Sequence, residues 1–147
     1  MTDVHSHPVD VRYMEVDQQG VVFNSWYLVY FDDALTGFLA ARGLPYESMM
    51  ARGYDVQLIT NETTWRKGVR WRDAVMIDVS AARIGTTSFT LDFVVRVGDE
   101  PYVTARTVYV VIATDGSGKR AVPGFVRRAL EPIQALHSIP GGGPVEG

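Results

Sequence analysis

Apolar and more polar side chains alternate near the start of the chain. Val9, Val11 and Tyr13 alternate with Asp10 and Arg12, which is the period of a strand with one buried face. The pattern predicts a first strand from residue 9 to about residue 16. The preceding residues 1–8 are expected to form a flexible N-terminal segment.

A long apolar segment without proline follows a polar turn that begins at Asp17. Asn24 or Ser25 can cap a helix there, and Gly43 supplies a stop. We therefore predict a helix over residues 24–42. Its apolar residues cover more than one narrow stripe, which indicates a helix enclosed on several sides. A second, short helix is predicted over residues 45–52.

The rest of the chain has the β-branched and aromatic content of strands, broken by glycine-containing turns. Short connections favour antiparallel meander pairing. A short last helix and a Pro-Gly-rich tail follow, and the tail over residues 133–147 is expected to be flexible. The predicted strands are 55–65, 73–84, 88–97 and 102–114, and the last helix is 124–130.

Together these elements predict the fold class α+β, with a curved antiparallel sheet wrapped around one long central helix. The chain has 147 residues, of which 46% are hydrophobic and 21% charged. These proportions are typical of one globular domain, placed here at residues 9–132. The fold needs no disulfide, because the chain contains no cysteine.

Charge and hydropathy exclude several partners. The net charge of −3 argues against nucleic acid, which requires a concentrated basic surface. No apolar run approaches the roughly 20 residues that span a bilayer, and residues 1–10 do not resemble a secretory signal. We expect a cytoplasmic protein without a membrane partner.

Asp17 is the residue whose position suggests chemistry. It ends the predicted first strand and precedes the start of the long helix, where unpaired N–H groups and a partial positive charge can hold an anion. A carbonyl bound there could develop an oxyanion while the carboxylate attacks it or deprotonates water. Neither a metal nor a cofactor is required. From spacing alone, however, a turn or capping role for Asp17 is favoured.

The run from Val11 to Phe31, VRYMEVDQQGVVFNSWYLVYF, resembles the signature of hotdog thioesterases of the 4-hydroxybenzoyl-CoA thioesterase type. It is more similar still to their branch of short-chain acyl-CoA thioesterases associated with the Tol-Pal system. The resemblance extends through residues 50–53, 68–73 and 85–89. Its most specific part is the Asp-x-x-Gly-Val-Val-aromatic core.

The resemblance implies acyl-CoA hydrolysis, with Asp17 as the catalytic nucleophile or general base and Asn24 supplying an oxyanion-hole N–H. It implies no cofactor. It also implies a homo-oligomer, a dimer whose sheets join and commonly a homotetramer, with the CoA substrate bound between subunits. The residues expected to bind substrate are Gly20, Val22, Phe23, Tyr27, Arg83, Gly85, Thr86 and Thr87.

This chain departs from the family pattern at two places. Asn24 stands where the close branch often has histidine, and Trp26 replaces a small or amide residue. The stretch Gly85-Thr86-Thr87 aligns with a basic stretch that contacts CoA phosphates, so Arg83 or basic residues at 66–72 would have to help. An acyl-carrier-protein substrate and a non-catalytic thioester-binding module remain alternatives. A hotdog dehydratase is less favoured, because no histidine is suitably placed.

Two further clusters have ordinary explanations. His5 and His7 lack a third metal ligand in the sequence and are expected to be exposed. Arg66, Lys67, Arg70 and Arg72 alternate with tryptophans, a pattern that can stack on an adenine but more often marks a solvated turn.

Overall fold

The structure is a computed structural model and describes residues 4–138. It contains five strands and three α-helices in that part of the chain, and a 3₁₀ turn at Tyr13–Glu15. The strands are β1 His5–Val9, β2 Tyr54–Trp65, β3 Val75–Ile84, β4 Ser88–Val97 and β5 Glu100–Ala113; the helices are α1 Trp26–Ala41, α2 Tyr46–Ala51 and α3 Gly124–Leu130.

The strands form one antiparallel sheet in the order β1-β3-β4-β5-β2. The meander prediction is correct for β3, β4 and β5. It is wrong for β2, which pairs with β5 rather than with its sequence neighbour β3. The connection over residues 66–74 makes this possible, because it can cross the roughly 14 Å of three strand spacings.

Helix α1 packs across the inner face of the sheet. Phe38 is fully buried, and Phe31 stacks on Phe93 of β4 with ring centroids 4.7 Å apart. Odd-numbered residues of β4 and β5 face the helix, as the period of two requires. Within residues 4–138, no helix is both long and apolar enough to cross a bilayer. A curved antiparallel sheet with one long helix on it confirms the predicted α+β hotdog fold.

The first strand lies earlier than predicted. It covers His5–Val9 and pairs with β3, so residues 5–8 form a strand and not the expected flexible segment. The chain then leaves the sheet because Glu15 is drawn inside, where its carboxylate accepts hydrogen bonds from the Arg12 N–H at 2.9 Å and the Tyr30 hydroxyl at 2.7 Å. The apolar-polar alternation after residue 9 therefore belongs to a segment that contains a 3₁₀ turn and is not part of a strand.

The segment after α3 crosses the outer face of the sheet. The Leu136 N–H donates to buried Asp92 at 2.9 Å, and the Gln134 N–H donates to Ala81 O at 2.7 Å. Residues 133–138 are thus hydrogen-bonded to the domain, in contrast to the free tail expected there. The remainder of that tail, residues 139–147, lies outside the described residues.

Candidate active site

Asp17 forms a tight turn between the first strand and the helix. Its N–H donates to Val21 O at 2.9 Å, and the Gly20 N–H donates to Asp17 O at 3.0 Å. Gly20 has a positive φ of 78°, which glycine adopts without strain. The Gln19 N–H donates to Asp17 Oδ1 at 2.8 Å. Asp17 therefore does have the turn role that its spacing suggested.

The same side chain also faces a cleft. Asp17 is half-buried and contributes to the wall of an open cleft of about 420 Å³. Tyr13 and Trp71 form its aromatic side, with an edge-to-face contact at 5.0 Å between ring centroids. Strand alternation predicts that Tyr13 is buried, so its position at this cleft could not be read from the pattern. The other lining residues are Val16, Gln18, Gly20 and Arg70.

Tyr27 lies in the first turn of α1, close to the turn that carries Asp17. The ring is buried, and its hydroxyl accepts a hydrogen bond from the Val69 N–H at 3.3 Å. Burial raises the pKa of Tyr27, and the negative charges of Asp17 and Asp73 raise it further. Tyr27, in the first turn of α1, is therefore within range of the negative charge of Asp17.

The N-terminus of α1 has open donors. Ser25 occupies the N-cap position with helical dihedral angles, and its side chain makes no capping hydrogen bond. Among residues 4–138, the N–H groups of Asn24 and Ser25 donate to no other group. Uncapped amides and the helix dipole favour a negative charge at this end.

Asn24 lines a second groove, of about 330 Å³, at this helix end. Phe23 and Leu28 are exposed there, so the groove is mainly apolar. Asp17 does not line it, and the protomer therefore does not bring Asp17 and Asn24 into one cavity. The other lining residues are Ser25, Tyr27, Asn61, Thr63 and Trp65.

The predicted substrate-binding residues near the Asp17 turn do not all line the same cavity. Gly20 lies in the Asp17 cleft, and Phe23 and Tyr27 lie in the Asn24 groove. Val22 is only 2% exposed and its N–H donates to Val69 O at 2.8 Å. Val22 is a core residue, and its side chain cannot contact a bound substrate.

The Gly85–Thr87 turn lies at the opposite end of the sheet. Thr87 O accepts from the Val111 N–H, whereas Trp65, beside the Asn24 groove, pairs with Val103. These two points are eight positions apart along β5, or roughly 26 Å. Within one protomer the turn, and Arg83 beside it, cannot contact the same thioester group as Asp17.

The basic cluster is divided between structural and solvent-facing roles. Lys67 pairs with Glu100 at 3.3 Å, while the Arg72 guanidinium lies 4.3 Å from the centroid of the Trp71 ring. Arg72 adopts a positive φ of 72°, which is uncommon for arginine. Arg70 contributes to the Asp17 cleft. Arg70 thus brings a cationic group to the wall of the cleft.

A third cavity, of about 260 Å³, lies between α1 and the sheet beyond the Asn24 groove. Asp32 of α1 contributes its side chain to the lining of this cavity. Burial, and secondarily Asp33, raises the pKa of Asp32. The buried Tyr109, on the floor of this cavity, gave no signal in the sequence because any β5 tyrosine fits the core pattern.

Known proteins share the sequence pattern and the fold of this chain. Residues 11–130 match the family model described as the thioesterase-like superfamily. A hypothetical protein from Thermus thermophilus is 28% identical, with a TM-score of 0.79, covering 88% of this chain and 97% of that one.

Two more distant structures share the fold. A thioesterase-superfamily protein from Jannaschia sp. CCS1 is 17% identical with a TM-score of 0.84, covering 90% of this chain and 94% of that one. A DHNA-CoA thioesterase from Staphylococcus aureus is 17% identical with a TM-score of 0.77, covering 81% and 80%. Since the family match spans most of the chain, the protein belongs to the thioesterase-like superfamily.

Proposed function

We propose that the protein hydrolyses acyl-CoA thioesters to the free acid and CoA. The observation that carries this proposal is a half-buried carboxylate, Asp17, that faces a cleft near uncapped helix amides. Membership of the family supports thioester hydrolysis in general. The name of the Staphylococcus aureus protein of the same fold, a DHNA-CoA thioesterase, supports CoA as the carrier.

The proposed chemistry uses two polar features, the free N–H groups at the start of α1 and the carboxylate of Asp17. The Asn24 and Ser25 N–H groups would bind the thioester oxygen, and their stabilisation increases as that oxygen becomes an oxyanion. Asp17 would either attack the carbonyl carbon or take a proton from the attacking water. The C–S bond then breaks, CoA leaves as a thiolate that is protonated, and water supplies the oxygen of the free acid.

A second subunit would bring the Gly85–Thr87 turn to the Asn24 groove. Strand β2 is the edge of the sheet and carries the exposed Leu58 and Ile59. An unpaired apolar edge is stable only when another element covers it. Antiparallel pairing of β2 with its copy would put the Trp65 end of one protomer near the Tyr54 end of the other.

That pairing has a functional consequence. The Tyr54 end of β2 is aligned with Ala113 of β5, beside the turn Gly85–Thr87. The turn and Arg83 of one subunit would then approach the Asn24 groove of its partner, where they could hold the CoA nucleotide. The proposed assembly is a dimer of this kind, with a tetramer as its further association. A cytoplasmic location remains a prediction from the sequence.

A panel of acyl-CoA thioesters tests the proposal. Aliphatic and aromatic members would be incubated with the purified protein, and released CoA measured with a thiol reagent. We expect turnover on at least one member. Saturable binding with hydrolysis of none would instead support a non-catalytic binding module. Hydrolysis of acyl-carrier-protein thioesters alone would identify the cations around the cleft, such as Arg70, as a protein-docking surface.

A further inference from the structure

Glu15 is a buried acidic residue that the proposed chemistry does not use. It is only 3% exposed, although glutamate is almost never fully buried unless it is paired. Removing a carboxylate from water is costly, and a buried ion pair is often no more stabilising than apolar side chains of similar volume. Stability alone therefore does not account for a carboxylate at this position.

The side chain of Glu15 joins the 3₁₀ turn to helix α1. Oε1 accepts hydrogen bonds from the Arg12 N–H at 2.9 Å and from the Tyr30 hydroxyl at 2.7 Å, and Oε2 accepts one from Arg12 Nε at 3.3 Å. Burial, and secondarily the hydrogen bond to Glu15, raises the pKa of Tyr30, so its hydroxyl stays protonated and donates. Because the Arg12 side chain is largely exposed, Tyr30 is the buried partner that fixes Glu15 to the helix.

The backbone of Glu15 forms the base of a short hairpin, residues 15–23. Its carbonyl oxygen accepts a hydrogen bond from the Phe23 N–H at 2.9 Å. Asp17 follows two residues later, in the turn of this hairpin, and Phe23 directly precedes Asn24, whose free N–H is proposed to bind the thioester oxygen. Glu15 is therefore hydrogen-bonded to the residue before the helix amides and is close in sequence to the carboxylate that acts with them.

The two sets of contacts made by Glu15 constrain the same relation. The carboxylate fixes the hairpin base to Tyr30, in the second turn of α1, and the carbonyl fixes it to Phe23, just before the helix begins. The helix cannot shift or rotate against the hairpin without breaking one of them. Reaction rates depend on such placement, since a misplacement of about 1 Å can cost about 100-fold.

We infer that Glu15 is a positioning residue: through its hydrogen bond with Tyr30 it holds the turn that carries Asp17 in a fixed relation to the helix N–H groups. Glu15 does not contact the substrate, because its side chain is buried. The inference rests on the proposed thioesterase function, which gives Asp17 and the helix amides their roles. Loss of the contact should therefore lower the rate of the chemical step and leave substrate binding unchanged.

Tyr30→Phe tests this role, because it removes the hydroxyl and keeps the ring. With an acyl-CoA that the wild type hydrolyses, we expect kcat to fall by about 10- to 100-fold and KM to stay the same. Tyr46→Phe is the matched control and should keep the wild-type kcat. Its hydroxyl also donates to a carboxylate, that of Asp55 at 3.0 Å, but at an exposed position outside the hairpin. An unchanged kcat in Tyr30→Phe would overturn the inference.

The double variant Glu15→Met/Tyr30→Phe separates positioning from stability. It replaces both partners by apolar side chains of similar size, a change that is often nearly neutral for stability. We expect a Tm close to that of the wild type together with a kcat as low as that of Tyr30→Phe. Glu15→Gln, whose amide oxygen can still accept from the Tyr30 hydroxyl, should retain most of the wild-type kcat. Recovery of kcat along with Tm in the double variant would overturn the inference.

Hydrogen exchange of the Phe23 amide distinguishes failure of this inference from failure of the proposed function, because it needs no substrate. This amide donates to Glu15 O, so it should exchange faster in Tyr30→Phe than in the wild type and at the wild-type rate in Tyr46→Phe. An unchanged rate in Tyr30→Phe would overturn the inference even if acyl-CoA is hydrolysed. Faster exchange in a protein whose wild type hydrolyses no acyl-CoA would support the anchoring of the hairpin and contradict the proposed function.

Discussion

The Tyr27 hydroxyl accepts a hydrogen bond of 3.3 Å from the backbone N–H of Val69. This contact ties the first turn of α1 to the connection between β2 and β3. In the same connection, Val69 O accepts a hydrogen bond from the Val22 N–H. The turn that carries Asp17 is therefore held from both ends, and the carboxylate and the helix amides keep a fixed relation.

Gly68 is where this arrangement is most sensitive to substitution. A Cβ at this position would come within 2.5 Å of Val21 Cγ1 and 2.8 Å of its Cβ. Gly68→Ala should therefore destabilise the protein by roughly 1–3 kcal/mol, as overpacked core positions do, and lower kcat by displacing the turn. Urea unfolding and steady-state kinetics measure both effects.

Gly124→Ala is the control for that substitution. Its added Cβ would meet only the flexible end of Arg128, at 3.1 Å, so stability should change little. Equal stability of Gly68→Ala and Gly124→Ala would show that the Val21 contact does not constrain the turn.

Removal of Arg106 should be strongly destabilising. Its guanidinium makes two hydrogen bonds to fully buried Asp92, at 2.7 and 2.9 Å, and one to His137 O at 3.0 Å. Arg106→Met leaves the buried carboxylate with the Leu136 N–H and, at 3.8 Å, His137 Nε2 as partners. Loss of the guanidinium should cost about 3–5 kcal/mol and release the segment that contains His137. Chemical denaturation gives the first effect and hydrogen exchange the second.

Arg96→Met provides the comparison for Arg106→Met. Arg96 pairs with Asp78 at 2.9 Å, but both side chains are partly exposed, at 27% and 22%. Its loss should cost about 1 kcal/mol or less. Similar losses for the two variants would mean that burial of Asp92 adds nothing to the pair.

The elements predicted from the sequence were those with strong local signals. The proline-free apolar segment predicted α1, and the β-branched runs predicted β2 to β5 within two residues at their ends. Strand β1 was misplaced because its inward residues include His5 and His7, which do not read as apolar. The pairing of β2 with β5 depends on the long connection, for which no local pattern exists.

His5 gives the folded state a defined pH dependence. Burial, followed by the charges of His7 and Arg42, lowers the pKa of His5 from its usual 6.5. The unfolded chain therefore binds a proton more readily, and stability should fall as the pH decreases from about 6.5 through the lowered value. His5→Phe should reduce this loss, measured as the difference in unfolding free energy between about pH 7.5 and about pH 5. An identical difference in both proteins would exclude His5 as its source.

The proposed dimer depends on the free edge of β2. Ile59 is 52% exposed on that edge, and Ile59→Lys would put a charge into the pairing surface. We expect the wild type to be at least dimeric by light scattering, and the variant to dissociate and lose activity. Asp10→Lys, at an exposed position after β1 on the opposite edge of the sheet, should change neither. A monomeric, fully active wild type would contradict the two-chain site.

The candidate site could be predicted only in part. Asp17 and Asn24 could be predicted because their motif is contiguous; Asp17 lines one cleft and Asn24 another, and their catalytic roles stay a prediction. The cavity lined by Asp32 and Tyr109 could not be predicted, because it arises from the packing of elements that are distant in the chain. The separation of the Gly85–Thr87 turn from Asp17 likewise follows from the sheet topology.

The rate of CoA release by Asp17→Asn tests the central claim most directly. The amide keeps the size of the side chain but can neither attack the carbonyl nor accept a proton from water. With an acyl-CoA that the wild type hydrolyses, we expect a loss of at least about 100-fold in kcat, with an unchanged Tm and with full activity in the Asp99→Asn control. A folded Asp17→Asn variant that releases CoA at the wild-type rate would contradict the account.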